Sequence, residues 1–193
     1  MKKTLTILSL AVAAFAVQAD QAINFNNNNL GTPRLVTFDS TFGALSGTGV
    51  RNGVADGASF VSQLFQVNGA SLTAIGATAN FRGATTASPG TWSGSGRTLV
   101  GATQGAALQL QVRAWDSAFA SYDAAVTAGK GAGQSAVFAF TDAMSSPPGA
   151  ADNFMVNFQG FSIGLGSTPV VPEPSTIALG ALGVAGLLFF RRK

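Results

Sequence analysis

Between residues 20 and 171 the only carboxylates are seven aspartates, Asp20, Asp39, Asp56, Asp116, Asp123, Asp142 and Asp152, and the chain has no His and no Cys. That removes thiol nucleophiles, Ser-His-Asp triads and imidazole or thiolate metal sites. Gly129-Lys130 fails the phosphate-loop pattern, since position 124 is Ala and position 131 is Gly. Gly94-Ser95-Gly96 has the wrong spacing for a nucleophile elbow, and Asn52 with Asp56-Gly57 lacks the alternating acidic positions of a calcium loop. What is left for catalysis is a pair of carboxylates, as in glycoside hydrolysis. Asp116 and Asp123 are the pair to test, because they flank one loop after the strongest strand pattern. The plainer reading is that these aspartates satisfy turn backbone. Trp92, Trp115 and Tyr122 are the candidate carbohydrate contacts. No catalytic residue is assigned, and no metal or cofactor is implied.

The elements that would position these side chains read as strands. Many Gly, Ser and Thr, few charges and repeated turn dipeptides indicate an all-β body, a sandwich or jelly-roll-like antiparallel domain over residues 20–163. Asn52-Gly53, Asp56-Gly57 and Asn68-Gly69 supply the positive φ angles that tight hairpins need. Ile23 and Phe25 alternate with Asn and start an edge strand, and Asn26–Asn29 reads as a surface turn. Leu35–Phe38 is a short strand. Ser59–Val67 has an ambiguous period and is assigned as strand because two turns bracket it. Leu72–Ile75 and Ala79–Arg82 continue the series, and Thr86–Gly96 is a loop carrying Trp92.

The clearest pattern is Ala107–Trp115. Leu108, Leu110, Val112 and Ala114 alternate with Gln109, Gln111, Arg113 and Trp115, which puts one face in the core and leaves Trp115 on the wet side. Ser121–Ala128 forms a turn of helix that the glycine-rich stretch 129–133 ends, and Ala136–Phe140 is a further strand. Phe154, Val156 and Phe158 alternate, then Phe161, Ile163 and Leu165 do so one residue out of phase. A β-bulge at Gln159-Gly160 would bring all six to one face. Residues 164–171 read as a linker.

Both ends are addresses. Met1–Ala19 is a signal peptide, with Lys2 and Lys3 before an apolar middle and Val17-Gln18-Ala19 as the signal-peptidase site, so cleavage falls between Ala19 and Asp20. At the other end stand Pro172, Glu173 and Pro174, an apolar run over 177–190, and Arg191, Arg192 and Lys193. As a helix the run is roughly 21 Å long, short against a hydrocarbon core of roughly 30 Å. The three terminal cations fit a cytoplasmic end and a membrane stop. These ends also carry five of the eleven cations; residues 20–171 have six against seven carboxylates, a net of −1. The pI of about 9.8 is therefore no nucleic-acid footprint.

The tail, Pro172-Glu173-Pro174 followed by the apolar run and the basic end, resembles the PEP-CTERM sorting signal read by exosortases of some Gram-negative bacteria. The layout from Ser59 to Phe140 also resembles an ectodomain recurrent in such proteins. The stretches that carry this are Gln63-Leu64, Leu108–Asp116, Ser121–Ala125 and Gly133–Ser135. The resemblance implies cleavage near the Pro-Glu-Pro motif and passage from an inner-membrane intermediate, body in the periplasm, to the cell surface or extracellular matrix. It implies signal peptidase and exosortase as processing partners, and association with exopolysaccharide. Two classes follow, a non-catalytic surface protein and a small extracellular carbohydrate-active enzyme using paired Asp residues. Exposed, adjacent Trp92, Trp115 and Tyr122 would favour the first, and two Asp facing each other across a cleft the second.

Overall fold

The structure, a computed structural model, describes residues 21–28, 34–99, 106–141 and 154–166. Both sorting ends, including Ala19, Asp20, Pro172, Glu173, Pro174, the run 177–190 and Arg191, Arg192 and Lys193, lie outside the described residues. Among the described residues no helix is long and apolar enough to cross a membrane.

The chain is mostly β. Its strands are β1 (Gln21–Asn26), β2 (Thr37–Phe38), β3 (Phe60–Asn68), β4 (Ser71–Asn80), β5 (Ser93–Leu99), β6 (Leu108–Asp116), β7 (Gly131–Gln134), β8 (Phe138–Phe140) and β9 (Ser162–Leu165). One short helix, α1 (Tyr122–Thr127), and a 3₁₀ segment, Ser40–Leu45, complete the described elements. A large sheet runs β2-β9-β7-β6-β3-β4, with β8 also paired to β6, and β1 and β5 form a separate two-stranded sheet. The sheet is not wholly antiparallel, because β2 pairs with β9 in parallel. Such a pair needs a crossover rather than a hairpin, and the whole body between Phe38 and Ser162 serves as that crossover.

Both sheets feed one core. Ile23, Phe25 and Leu99 come from the small sheet; Leu64, Leu110, Val112, Phe138 and Ile163 come from the large one. Trp92, Phe158 and Met155 fill the space between, all fully buried. The inward face of β6 is as the alternation predicts, since Leu110, Val112 and Ala114 are inaccessible. Its other face is exposed at Gln109 but largely covered further along. Gln111 is 8% exposed and Trp115 3%, because α1 and its flanking loop close over Trp115 through Phe119, Tyr122 and Ala125. Ser121 caps α1 by accepting from Ala124 N at 3.2 Å, and Gly129, at φ 68°, ends it.

The bulge lies elsewhere than the phase change suggests. Residues 154–160 are not strand. Phe158 N donates to Met155 O in a turn, while Val156 (57%) and Leu165 (43%) face outward. Phe154, Val156, Phe158, Phe161, Ile163 and Leu165 therefore do not share a face. The irregularity sits between β7 and β8, which run along the same edge of β6. Arg113 pairs with Gln134 but Leu110 with Phe138, one residue more on the β7–β8 side. At the break Ser135 N donates to Val112 O at 2.8 Å, and Val112 N donates to the Ser135 hydroxyl at 3.0 Å. The hydroxyl stands in for the carbonyl that the extra residue displaces.

Four further boundaries differ. Leu72–Ile75 and Ala79–Arg82 are one strand, β4, whose register to β3 slips between Ser62 and Leu64. The loop expected over 86–96 ends early, with β5 starting at Ser93, and the glycine-rich stretch after α1 is itself β7. Glycine is required in β7 because a Cβ at Gly133 would lie 2.3 Å from Ser162 O, and one at Gly131 2.7 Å from the Phe60 ring. Gly164 and Leu165, read as linker, belong to β9, and Gly166 N still donates to Lys130 O at 3.3 Å. The β3–β4 hairpin turns on Gly69-Ala70, with Asn68 already paired to Ser71. Asp56 (φ 48°) and Gly57 (φ 79°) make a tight turn closed by Ala58 N to Ala55 O, but inside a loop rather than a hairpin.

Candidate functional site

The three aromatic residues expected to gather on the surface are neither gathered nor exposed. Trp92 sits in the main core between Phe25 (5.2 Å between ring centres), Phe81 (5.6 Å) and Phe158 (5.8 Å). Its indole N–H is buried without a protein partner among the described residues. Trp115 lies on the opposite side of the large sheet, its indole N–H donating to Phe119 O at 3.0 Å. Tyr122 is half-buried beside it. No stacking platform of these three exists.

Tyr122 belongs to a different arrangement. The Arg113 guanidinium lies 4.6 Å from the centre of its ring and 5.5 Å from that of Phe65, and pairs with Asp123 at 3.6 Å. This cation–π contact and ion pair clamp α1 onto the sheet. Burial raises the Tyr122 pKa above 10.0; the Arg113 charge acts in the opposite sense and Asp123 adds to the rise. Asp123 itself projects from α1 with its side chain 83% exposed, so its pair with Arg113 is weak.

Asp116 and Asp123 do not face one another across a cleft. Asp116 turns back to accept from Ala118 N at 3.0 Å, the turn-satisfying role, and lines a groove that Asp123 does not reach. The groove has a volume of about 950 Å³. Four segments build it: the 3₁₀ segment with Phe42, the loop 54–60 with Asp56, the turn 116–118, and Lys130-Gly131 with Leu165.

Each wall has a local cause. Asp39 accepts from Thr41 N at 2.8 Å, which starts the 3₁₀ segment, and the Thr41 hydroxyl then accepts from Leu165 N at 2.7 Å, fixing that segment to β9. The tight turn at Asp56-Gly57 places the exposed Asp56 in the groove's lining. The turn after β6 is held by Ser117 N donating to Ser59 O at 2.8 Å. On the floor, Phe42 packs 4.6 Å from Phe38 and 6.3 Å from Phe60. The groove's ionic groups are Asp56, Asp116 and Lys130. Among the described residues no cluster of three or more carboxylates is disposed to hold a metal ion.

Of these, Asp116 and the Asp56-Gly57 turn are legible in the sequence. Phe42 and Lys130 are not, because nothing in linear order joins residues 42 and 130.

Residues 170–193 match the family model of the PEP-CTERM protein-sorting motif. A tail of this kind implies an exported protein with an exosortase as its processing partner. No curated protein and no solved structure matches the chain.

Proposed function

We propose that the chain is an exosortase-processed cell-surface or extracellular-matrix protein, with a non-catalytic body that associates with exopolysaccharide. In this reading residues 1–19 are removed by signal peptidase on export. The two sheets form a sandwich displayed in the periplasm, and 177–190 holds an inner-membrane intermediate. The observation that carries it is the sorting motif itself, at residues 170–193, close behind the last strand. The non-catalytic part is supported by composition, for the body offers Asp alone among the carboxylates and neither His nor Cys.

The test is processing in a host that has the exosortase, read by membrane fractionation and intact mass. Wild-type protein should lose Arg191–Lys193. Glu173→Ala should be exported and folded but remain uncleaved in the inner membrane, because Glu173 sits between two prolines that hold it extended for presentation. Deleting residues 191–193 should release uncleaved protein into the periplasm, since those cations stop the short span. Wild-type protein that keeps its terminal cations would mark the tail as a simple anchor.

A further inference from the structure

We propose that the groove walled by Phe42, Asp56, Asp116 and Lys130 is a binding site for an uncharged polyhydroxylated chain, a neutral glycan. This rests on the reading that the body associates with exopolysaccharide, and it moves the contact away from the three aromatics that the sequence singles out.

Four observations converge. The volume, about 950 Å³, lies at the upper end of the range for ligand sites, roughly 300–1,000 Å³. It has room for a short run of sugar units. The floor offers the half-buried Phe42 ring, held in one orientation by Phe38 and Phe60. A pyranose presents an apolar C–H face that such a ring can cover, leaving its hydroxyls at the edges. The lining also includes two aspartates, whose carboxylates accept from hydroxyls, and one lysine, whose ammonium donates to them. Among the described residues none of these three forms an ion pair, and Asp116 spends one oxygen on Ala118 N, which leaves its second oxygen, Asp56 and Lys130 to a ligand.

Charge selects among glycans. Asp56 and Asp116 against Lys130 leave the groove at −1, which disfavours a uronate or sulfated polymer and admits a neutral one. Asp116 is also pre-set, because its bond from Ala118 N fixes the carboxylate before any ligand arrives.

The test is native affinity electrophoresis of the full chain in detergent, through gels containing dextran, mannan, galactan or alginate. At least one neutral polymer should retard the wild-type protein, and alginate should not. Asp56→Ala and Lys130→Ala, both at exposed positions, should each weaken retardation by about tenfold or more, as expected for lost bonds to charged groups. Their unfolding midpoints should match wild type. Tyr122→Phe, on the other side of the sheet, should leave retardation unchanged. Retardation by no neutral polymer, by alginate alone, or undiminished in the Asp56→Ala/Lys130→Ala double variant overturns the proposal. Because unprocessed protein suffices here, failure of exosortase cleavage leaves this result readable. A double variant that still co-fractionates with matrix polymer in cells would keep the association and dismiss the groove.

Discussion

Replacing Asn27 by alanine should remove a large part of the stability of the body. Asn27 is fully buried at the end of β1. Its amide donates to Arg34 O at 2.8 Å and Gly90 O at 2.9 Å, and its carbonyl accepts from Trp92 N at 3.0 Å. Only one orientation of the amide satisfies all three. After the change Gly90 O keeps its bond from Val36 N, at 3.0 Å, but Arg34 O and Trp92 N lose the partners they have here. Two orphaned groups at about 1–3 kcal/mol each cost about 2–6 kcal/mol, against a total of about 5–15 kcal/mol for a typical domain. Urea denaturation followed by the fluorescence of the two tryptophans, both buried, measures it. Asn27→Asp should be worse at neutral pH, for it keeps the acceptor for Trp92 but turns a carboxylate toward two carbonyls. That buried carboxyl would titrate above its usual range, so the variant should gain stability as pH falls and lose it as pH rises through the raised value. An Asn27→Ala loss under about 1 kcal/mol, or an Asn27→Asp variant no less stable than the alanine one, would refute the argument.

Further outcomes follow from the same geometry. Val112→Asp should unfold the body, since an unpaired carboxylate in the core costs several kcal/mol, while Gln111→Asp should cost about 1–3 kcal/mol through its lost bond to Ser135 O; circular dichroism of both variants checks this, and a harmless Gln111→Asp would contradict the burial of that face. Tyr122 is the chain's one tyrosine, so phenolate absorbance reads it alone. Its midpoint should lie above 10.0 when folded, fall back in urea, and rise further in Arg113→Leu. Because the folded value is the higher one, this group's contribution to stability is complete below pH 10.0 and declines as pH rises through the folded value. N-terminal sequencing of the exported protein should begin at Asp20; a sequence starting at Met1 would rule out leader removal.

How much could be read in linear order depended on whether a signal was contiguous. The sorting tail is a run of neighbours, and its reading agrees with the motif found at 170–193. The inner face of β6 is legible for the same reason, since its alternation lies within nine residues, while the strand at Ser59–Val67 is legible only from the two turns that bracket it. Gly131 and Gly133 looked like a breaker because their need for small size comes from Phe60 and Ser162, far away in sequence. Trp92 looked like a loop aromatic because its ring neighbours Phe25 and Phe158 stand at opposite ends of the body. Asn27 reads as part of a surface turn, yet carries a sequence signal against that. It extends the alternation of Ile23 and Phe25 by one more step onto the same buried face. Its polarity argued for a surface turn, but a buried amide with three backbone partners is as well satisfied as a solvated one.

The position of β9 determines how the body would carry a mechanical load. The sorting motif lies C-terminal to this strand in sequence, and β9 is not an edge; it lies between β2 and β7. A pull directed along this strand's own axis loads both of its sides. It meets Thr37 N to Phe161 O and Asp39 N to Ile163 O on one side, and the pairs Ala132–Gly164 and Gly131–Leu165 on the other. All of these are sheared together, whereas a strand peeled from an edge would lose them one at a time. Ile163, inaccessible in the core, would have to move with the strand. A body pulled along β9 is thus gripped through an interior strand, and the load passes at once to β2, β7 and the core.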